Sequence, residues 1–159
     1  MNQVTGMFIE DFEVGQVFVT ASRTVTEADI VIFTGLSGDF NPLHIDEEFC
    51  KTTVHGTRVA QGLLGASIAS GLSGQMGTLR GTAVGFLGMQ WKYTGVIKAS
   101  DTIHVKLTVC EARLTSKPGR GVLTRKVDVI NQRGEIVQTG EWAVLVLSRD
   151  AKSANEAGS

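Results

Sequence analysis

Two cysteines in 159 residues are too few for a disulfide scaffold. Cys50 and Cys110 stand far apart, with no C-x-x-C pair and no histidine in ligand spacing, which argues against structural zinc. Both are expected to be reduced, partly buried thiols. Charge of one sign is also lacking. Fifteen Lys+Arg against sixteen Asp+Glu leave a net charge of -1. No cationic surplus is available to displace counterions from a phosphate backbone, so nucleic acid is not an expected partner. No apolar run reaches the ~18 residues that span a bilayer. The opening residues carry early acids instead of the apolar core of a secretory signal. A soluble, cytoplasmic protein is the expectation. Aromatics are scarce at 6%, so the core has to rely on aliphatic side chains and close backbone approach.

What is present is ordinary for a globular chain, at 42% hydrophobic and 19% charged residues. The length suits one domain large enough to bury roughly two-thirds of its unfolded surface. Nineteen glycines are the compositional oddity, ~12% against a usual ~7%. No repeat or linker interrupts the chain. Residues 1–150 read as one domain, and 151–159, small and polar, as a frayed tail.

The first half reads mostly as helix after one β-rich stretch, Gln16 to Ser22. Thr26 and Asp29 have the spacing of a capping box, opening a helix that Gly35 and Gly38 should stop. Asp46 can cap a second, short helix with Glu47 and Glu48 in its first turn. Val59 to Met76 holds no charged residue, as expected of a helix buried on all sides, and its glycines suggest tight packing round it. From residue 81 the period becomes two. Ile103, Val105, Leu107 and Val109 alternate with His104, Lys106 and Thr108. Further strands are expected over Thr82 to Tyr93, Val122 to Ile130 and Ile136 to Leu147. Lys117-Pro118-Gly119 and Asn131-Gln132-Arg133-Gly134 are turn chemistry between antiparallel partners. The order predicts an α+β chain, a single hotdog fold with a curled antiparallel sheet wrapped round a long central helix. No short, charged edge strand guards the sheet, which points to a homodimer joined edge to edge, with further stacking of dimers open.

The chemistry concentrates in Ser37-Gly38-Asp39-Phe40-Asn41-Pro42-Leu43-His44-Ile45-Asp46. Gly38 and the Asn41-Pro42 pair predict a bent, non-helical path that can bring Asp39 to His44. A carboxylate and an imidazole converging beside an apolar helix form an acid/base pair. From composition alone, an Asx-turn at Asp39 and a satisfied loop histidine at His44 explain the residues equally well. Elsewhere, His104 reads as solvated, and His55 and Arg58 as surface residues of the loop entering the helix. Lys92, Lys98, Lys117 and Arg120 are scattered basics with no motif to choose among them. The glycines of 62–77 form no phosphate loop, since neither G-x-x-x-x-G-K-[ST] nor a strand-linked G-x-G-x-x-G is present.

The string S-G-D-F-N-P-L-H-x-D, followed by V-A-Q-G-L-L-G-A-S-I-A-S-G, resembles the MaoC-like dehydratases, including the (R)-specific enoyl-CoA hydratases, from about Phe12 to Leu147. The resemblance implies reversible addition of water to a trans-2-enoyl-CoA, giving an (R)-3-hydroxyacyl-CoA, with an acyl-CoA substrate and neither cofactor nor metal. It implies that Asp39 and His44 hold the reacting water. It assigns Asn41 to orienting that water or the histidine, while a turn role before Pro42 fits as well. It gives the Gly62 N–H to the thioester carbonyl, as an open helix N-terminus suits a developing enolate. It places Ser70 near the dyad, where a helix-packing role is the alternative. A branched or dicarboxylic acyl-CoA substrate and a non-catalytic thioester-binding module remain alternatives on the same scaffold.

Overall fold

The computed structural model describes residues 6–151, so the expected tail beyond Ala151 lies outside the described residues. After a one-turn helix at Ile9–Asp11 come β1 (Val17–Val19), β2 (Arg23–Thr24), α1 (Glu27–Ser37), α2 (Pro42–Ile45), α3 (Glu47–Lys51) and α4 (Gly62–Gln75). Four long strands follow: β3 (Ala83–Tyr93), β4 (Thr102–Leu114), β5 (Arg120–Asn131) and β6 (Ile136–Leu147). They form one antiparallel sheet in the order β1-β4-β5-β6-β3, with β2 also pairing β4. This is the hotdog arrangement. The two expected turns join β4 to β5 and β5 to β6. The β-rich stretch expected over Gln16 to Ser22 divides, with β1 pairing Val17 with Thr108 and β2 pairing Arg23 with Ile103.

The alternation in β4 is realised in full. Ile103, Val105, Leu107 and Val109 are all buried and face α4 or the cluster at its far end. From α4, Leu64, Ile68 and Leu72 enter the same core, each worth about 1.5–3 kcal/mol of transfer free energy. A second cluster, with Ile9, Phe12, Leu123 and Val146, closes the other end of the sheet.

Three expectations need correction. In this chain α4 is buried along one side only, since Leu63, Ser67, Ser70, Gly71 and Gly74 are exposed. Its glycines are required by packing at Gly62 and Gly65, but nothing lies within 4 Å of a Cβ at Gly71 or Gly74. Cys50 is buried, whereas Cys110 is exposed on the outer face of β4. Gly35 does not stop α1. The helix runs through it to Gly38, which caps the C-terminus in the left-handed region at φ 74.

The sheet end that carries the β5–β6 turn is locked by Asp101. Burial opposes its charge, yet hydrogen bonds from the Lys98 amide, Gln132 and Arg133 hold its carboxyl below the ordinary value of 3.8. A depressed carboxyl stabilises the fold above its unfolded pKa and loses that contribution as pH falls through the folded value. Resistance to urea should therefore fall below about pH 4. Asp101→Asn should cost ~1–3 kcal/mol at pH 7 and flatten that acid slope. An unchanged slope would remove Asp101 from the acid response.

Candidate active site

Asp39 and His44 are brought together by a chain of caps. Gly38 ends α1 and turns the backbone out, so Asp39 begins the bend. The Asn41 side chain accepts from the Leu43 N–H at 3.0 Å and Pro42 fills the first helical position. The path is therefore bent over 38–41 only, and His44 rides on the one-turn helix α2 where a wholly non-helical segment was expected. Pro42 starts that turn because a first-turn residue needs no N–H donor. Asp46 then caps α3 by accepting from the Phe49 N–H at 2.9 Å.

The imidazole is fixed from behind. Its Nδ1 lies 2.7 Å from the Val59 carbonyl, and Val59 N–H in turn donates to the Leu43 carbonyl at 3.0 Å. A carbonyl can only accept, so Nδ1 carries the proton. The other nitrogen, Nε2, faces Asp39 Oδ2 at 3.5 Å. In the neutral ring Nε2 is an acceptor, and an ionised carboxylate is an acceptor too. Two acceptors at this spacing suit a shared donor, and a water molecule has two O–H groups to give. His44 is mostly shielded while the Asp39 side chain is about half exposed, 11% against 48%. The pair thus has one shielded and one open member.

Asp39 opens onto a cavity of about 550 Å³ whose wall includes Phe33, Gly62, Leu63, Tyr93, Val96 and Gln138. At its edge α4 begins. Leu64 N–H bonds back to the Gln61 carbonyl, and the N–H groups of Gly62 and Leu63 precede the first intrahelical bond. Gly62 thus presents an open donor on the same cavity as Asp39. A Cβ at Gly62 would lie 2.6 Å from the Tyr93 ring, so a side chain there would have to displace the ring.

Of the predicted site residues, Asp39 and Gly62 line one cavity, while His44 does not line it and meets it only through its 3.5 Å approach to Asp39. Asn41 acts as the cap of α2, its side-chain oxygen taken by Leu43. Ser70 lies two turns further along α4, on a different cavity, and this chain alone does not bring it to the dyad. Arg58 is held by Glu27 and Glu47, which fixes the loop before α4. Lys98 donates to the His55 carbonyl at 2.8 Å. Among the described residues no cluster of three metal-ligating side chains occurs.

Sequence reasoning missed Gln138. Its Nε2 donates to the Gly62 carbonyl at 3.0 Å, and its Oε1 accepts from Trp91 Nε1 at 3.2 Å. Gln138 is buried and packs where Gly65 has no side chain, so it pins the start of α4 to β6.

Residues 11–131 match the family model described as the MaoC like domain. The chain is a member of the MaoC-like dehydratase family. A MaoC-like relative from Rhodospirillum rubrum, named (R)-specific enoyl-CoA hydratase, is 31% identical and covers 89% of this chain and 93% of its own. One of the same name from Aeromonas caviae is 33% identical, over 87% of this chain and 98% of that one. A solved MaoC-like dehydratase from Rhodospirillum rubrum superposes with a TM-score of 0.78 at 31% identity, over 91% of this chain and 99% of that one.

Proposed function

We propose that this MaoC-like protein is an (R)-specific enoyl-CoA hydratase, adding water reversibly and on one face to a trans-2-enoyl-CoA. The observation that carries the reading is His44 Nε2 set 3.5 Å from Asp39 Oδ2, with Asp39 lining the cavity that Gly62 at the start of α4 also lines. Water held between His44 and Asp39 gives its oxygen to the β-carbon while one of the pair takes its proton. The group that took that proton returns it to the α-carbon on the same face, which restores the pair. Negative charge that collects on the thioester oxygen meets the Gly62 N–H, where a fixed donor acts most strongly on the transition state. The same steps run backwards as dehydration. In this reading the substrate is a free acyl-CoA and the location is the cytoplasm.

The experiment is a hydration assay that follows loss of the conjugated enoyl-thioester absorbance with crotonyl-, octenoyl- and mesaconyl-type CoA, with the configuration of the product determined. Turnover giving the (R)-3-hydroxy product is expected. No turnover on any of them would favour a thioester-binding module instead.

The working unit in this proposal is a homodimer. β3 is an edge strand of eleven residues with Val84, Phe86, Leu87 and Met89 each about half exposed. An unpaired apolar edge of that length invites a second copy. Light scattering should give a dimer at micromolar concentration, and Leu87→Asp should shift it toward monomer. A stable wild-type monomer would contradict the assembly.

A further inference from the structure

A second cavity of about 420 Å³ opens beneath the first half of β3, beside the C-terminal half of α4. Arg125 is the anomaly in its wall. It sits on the inward face of β5 between Leu123 and Val127, where the sheet otherwise presents aliphatic side chains to the core. Only 4% of it is exposed, and its Nε has no hydrogen-bond partner. Among the described residues it forms no ion pair. Directly across the sheet Arg125 pairs with Trp142 of β6, which is also 4% exposed and whose indole Nε1 likewise lacks a partner.

Two buried donors without acceptors thus share one wall, and Arg80 lies on the same cavity. No carboxylate lines it among the described residues. Burial pushes the Arg125 guanidinium down to about 10, which still leaves it charged at neutral pH. A buried charge of this kind is costly unless it is paired. Its natural complement is a planar anion that can accept from both edges of the guanidinium fork. Ser70 and Ser73 also reach the wall, Ser73 with its hydroxyl given to the Ala69 carbonyl at 2.8 Å, and the rest, including Val84 and Phe86, is apolar. A free inorganic anion would lose its hydration there and gain nothing for its outer atoms. A hydrocarbon neck behind the anion fits.

We propose that the cavity at Arg125 and Trp142 binds the carboxylate end of an apolar-chained acid. Two sources share this chemistry: a free fatty acid, and the distal carboxylate of a dicarboxylic acyl thioester. The second source rests on the hydratase reading; the first does not.

Calorimetric titration of the full chain with octanoate, with octan-1-ol and inorganic phosphate as controls, tests the site itself. Saturable binding of octanoate alone is expected. Arg125→Met should weaken it by ~10–100-fold, the worth of a charged hydrogen-bonded pair. Trp142→Phe, which keeps the ring and removes the N–H, should weaken it by a smaller factor. The Arg125→Met protein should melt no lower than wild type without ligand, because it loses an unpaired buried charge. Kinetics separate the sources. If the distal carboxylate is the ligand, Arg125→Met lowers the kcat/KM ratio of an ω-carboxy-enoyl-CoA over the plain enoyl-CoA by the same ~10–100-fold. An unchanged ratio with octanoate binding lost assigns the site to a free acid. Undiminished octanoate binding in Arg125→Met, equal binding of phosphate, or no octanoate binding by wild type would overturn the proposal. So would dissociation of an assembled protein by Arg125→Met, which would give the arginine to a carboxylate of a second copy.

Discussion

Asp39→Asn and His44→Ala should each lower kcat for hydration of a trans-2-enoyl-CoA by ~10²–10⁴, the usual worth of a positioned acid or base. The reason lies in the tautomer. With Nδ1 committed to the Val59 carbonyl, His44 offers only Nε2 to the reacting space, and Asp39 Oδ2 faces it at 3.5 Å. Each variant leaves the water with one acceptor where it had two. Asn presents a donor or a weaker acceptor at the same point, and Ala leaves a gap. KM should move less than kcat, since neither group is needed to hold the CoA. Normal turnover by either variant would end the dyad assignment.

The second large effect is expected at Gly62. Gly62→Val should reduce kcat/KM by at least ~10², because the thioester oxygen could no longer reach an N–H that is worth ~3–4 kcal/mol in the transition state. Helix propensity alone would predict little change in stability. The structure alters that expectation, because the Tyr93 ring occupies the space a Cβ would enter. Tyr93 is about half exposed near the end of β3, so it can swing away, and the loss of stability should be modest. A paired background separates the two causes. Gly62→Ala is made in Tyr93→Ala, which clears room for the new methyl group. If activity stays well below that of Tyr93→Ala alone, the N–H is what the substrate has lost. Recovery to the Tyr93→Ala level would make Gly62 a packing glycine for the ring.

The sheet was legible because its information is local. In β4 every second residue is apolar, and the structure buries all four of Ile103, Val105, Leu107 and Val109. The caps at Thr26 and Asp46 were legible for the same reason, since each is a side chain and an N–H three residues away. Pro42 misled in part, because a proline after a bend also starts a helix, and Asn41 with Pro42 does so here. Asp39 and His44 were found by spacing and resemblance, but the direction of the imidazole was not. That depends on Val59, fifteen residues away, reached only through the fold. Gln138 and Arg125 stayed hidden for a related reason. Each is a polar residue that the sheet turns inward, and what it touches or fails to touch is set by the neighbouring strand and helix. Arg125 could have been singled out by parity, as it shares the inward side of β5 with Leu123 and Val127.

The account rests on one water acting between two groups, and a double-mutant cycle on kcat addresses that directly. Asp39→Asn, His44→Ala and the combined variant are assayed on the same trans-2-enoyl-CoA, with product release excluded by single-turnover measurement. If both side chains serve one water, removing the second after the first costs little more, as for groups that act as a unit. The combined variant should then fall within about a factor of ten of the slower single variant. A loss equal to the product of the two single losses would mean that Asp39 and His44 act independently, and the shared water would be wrong.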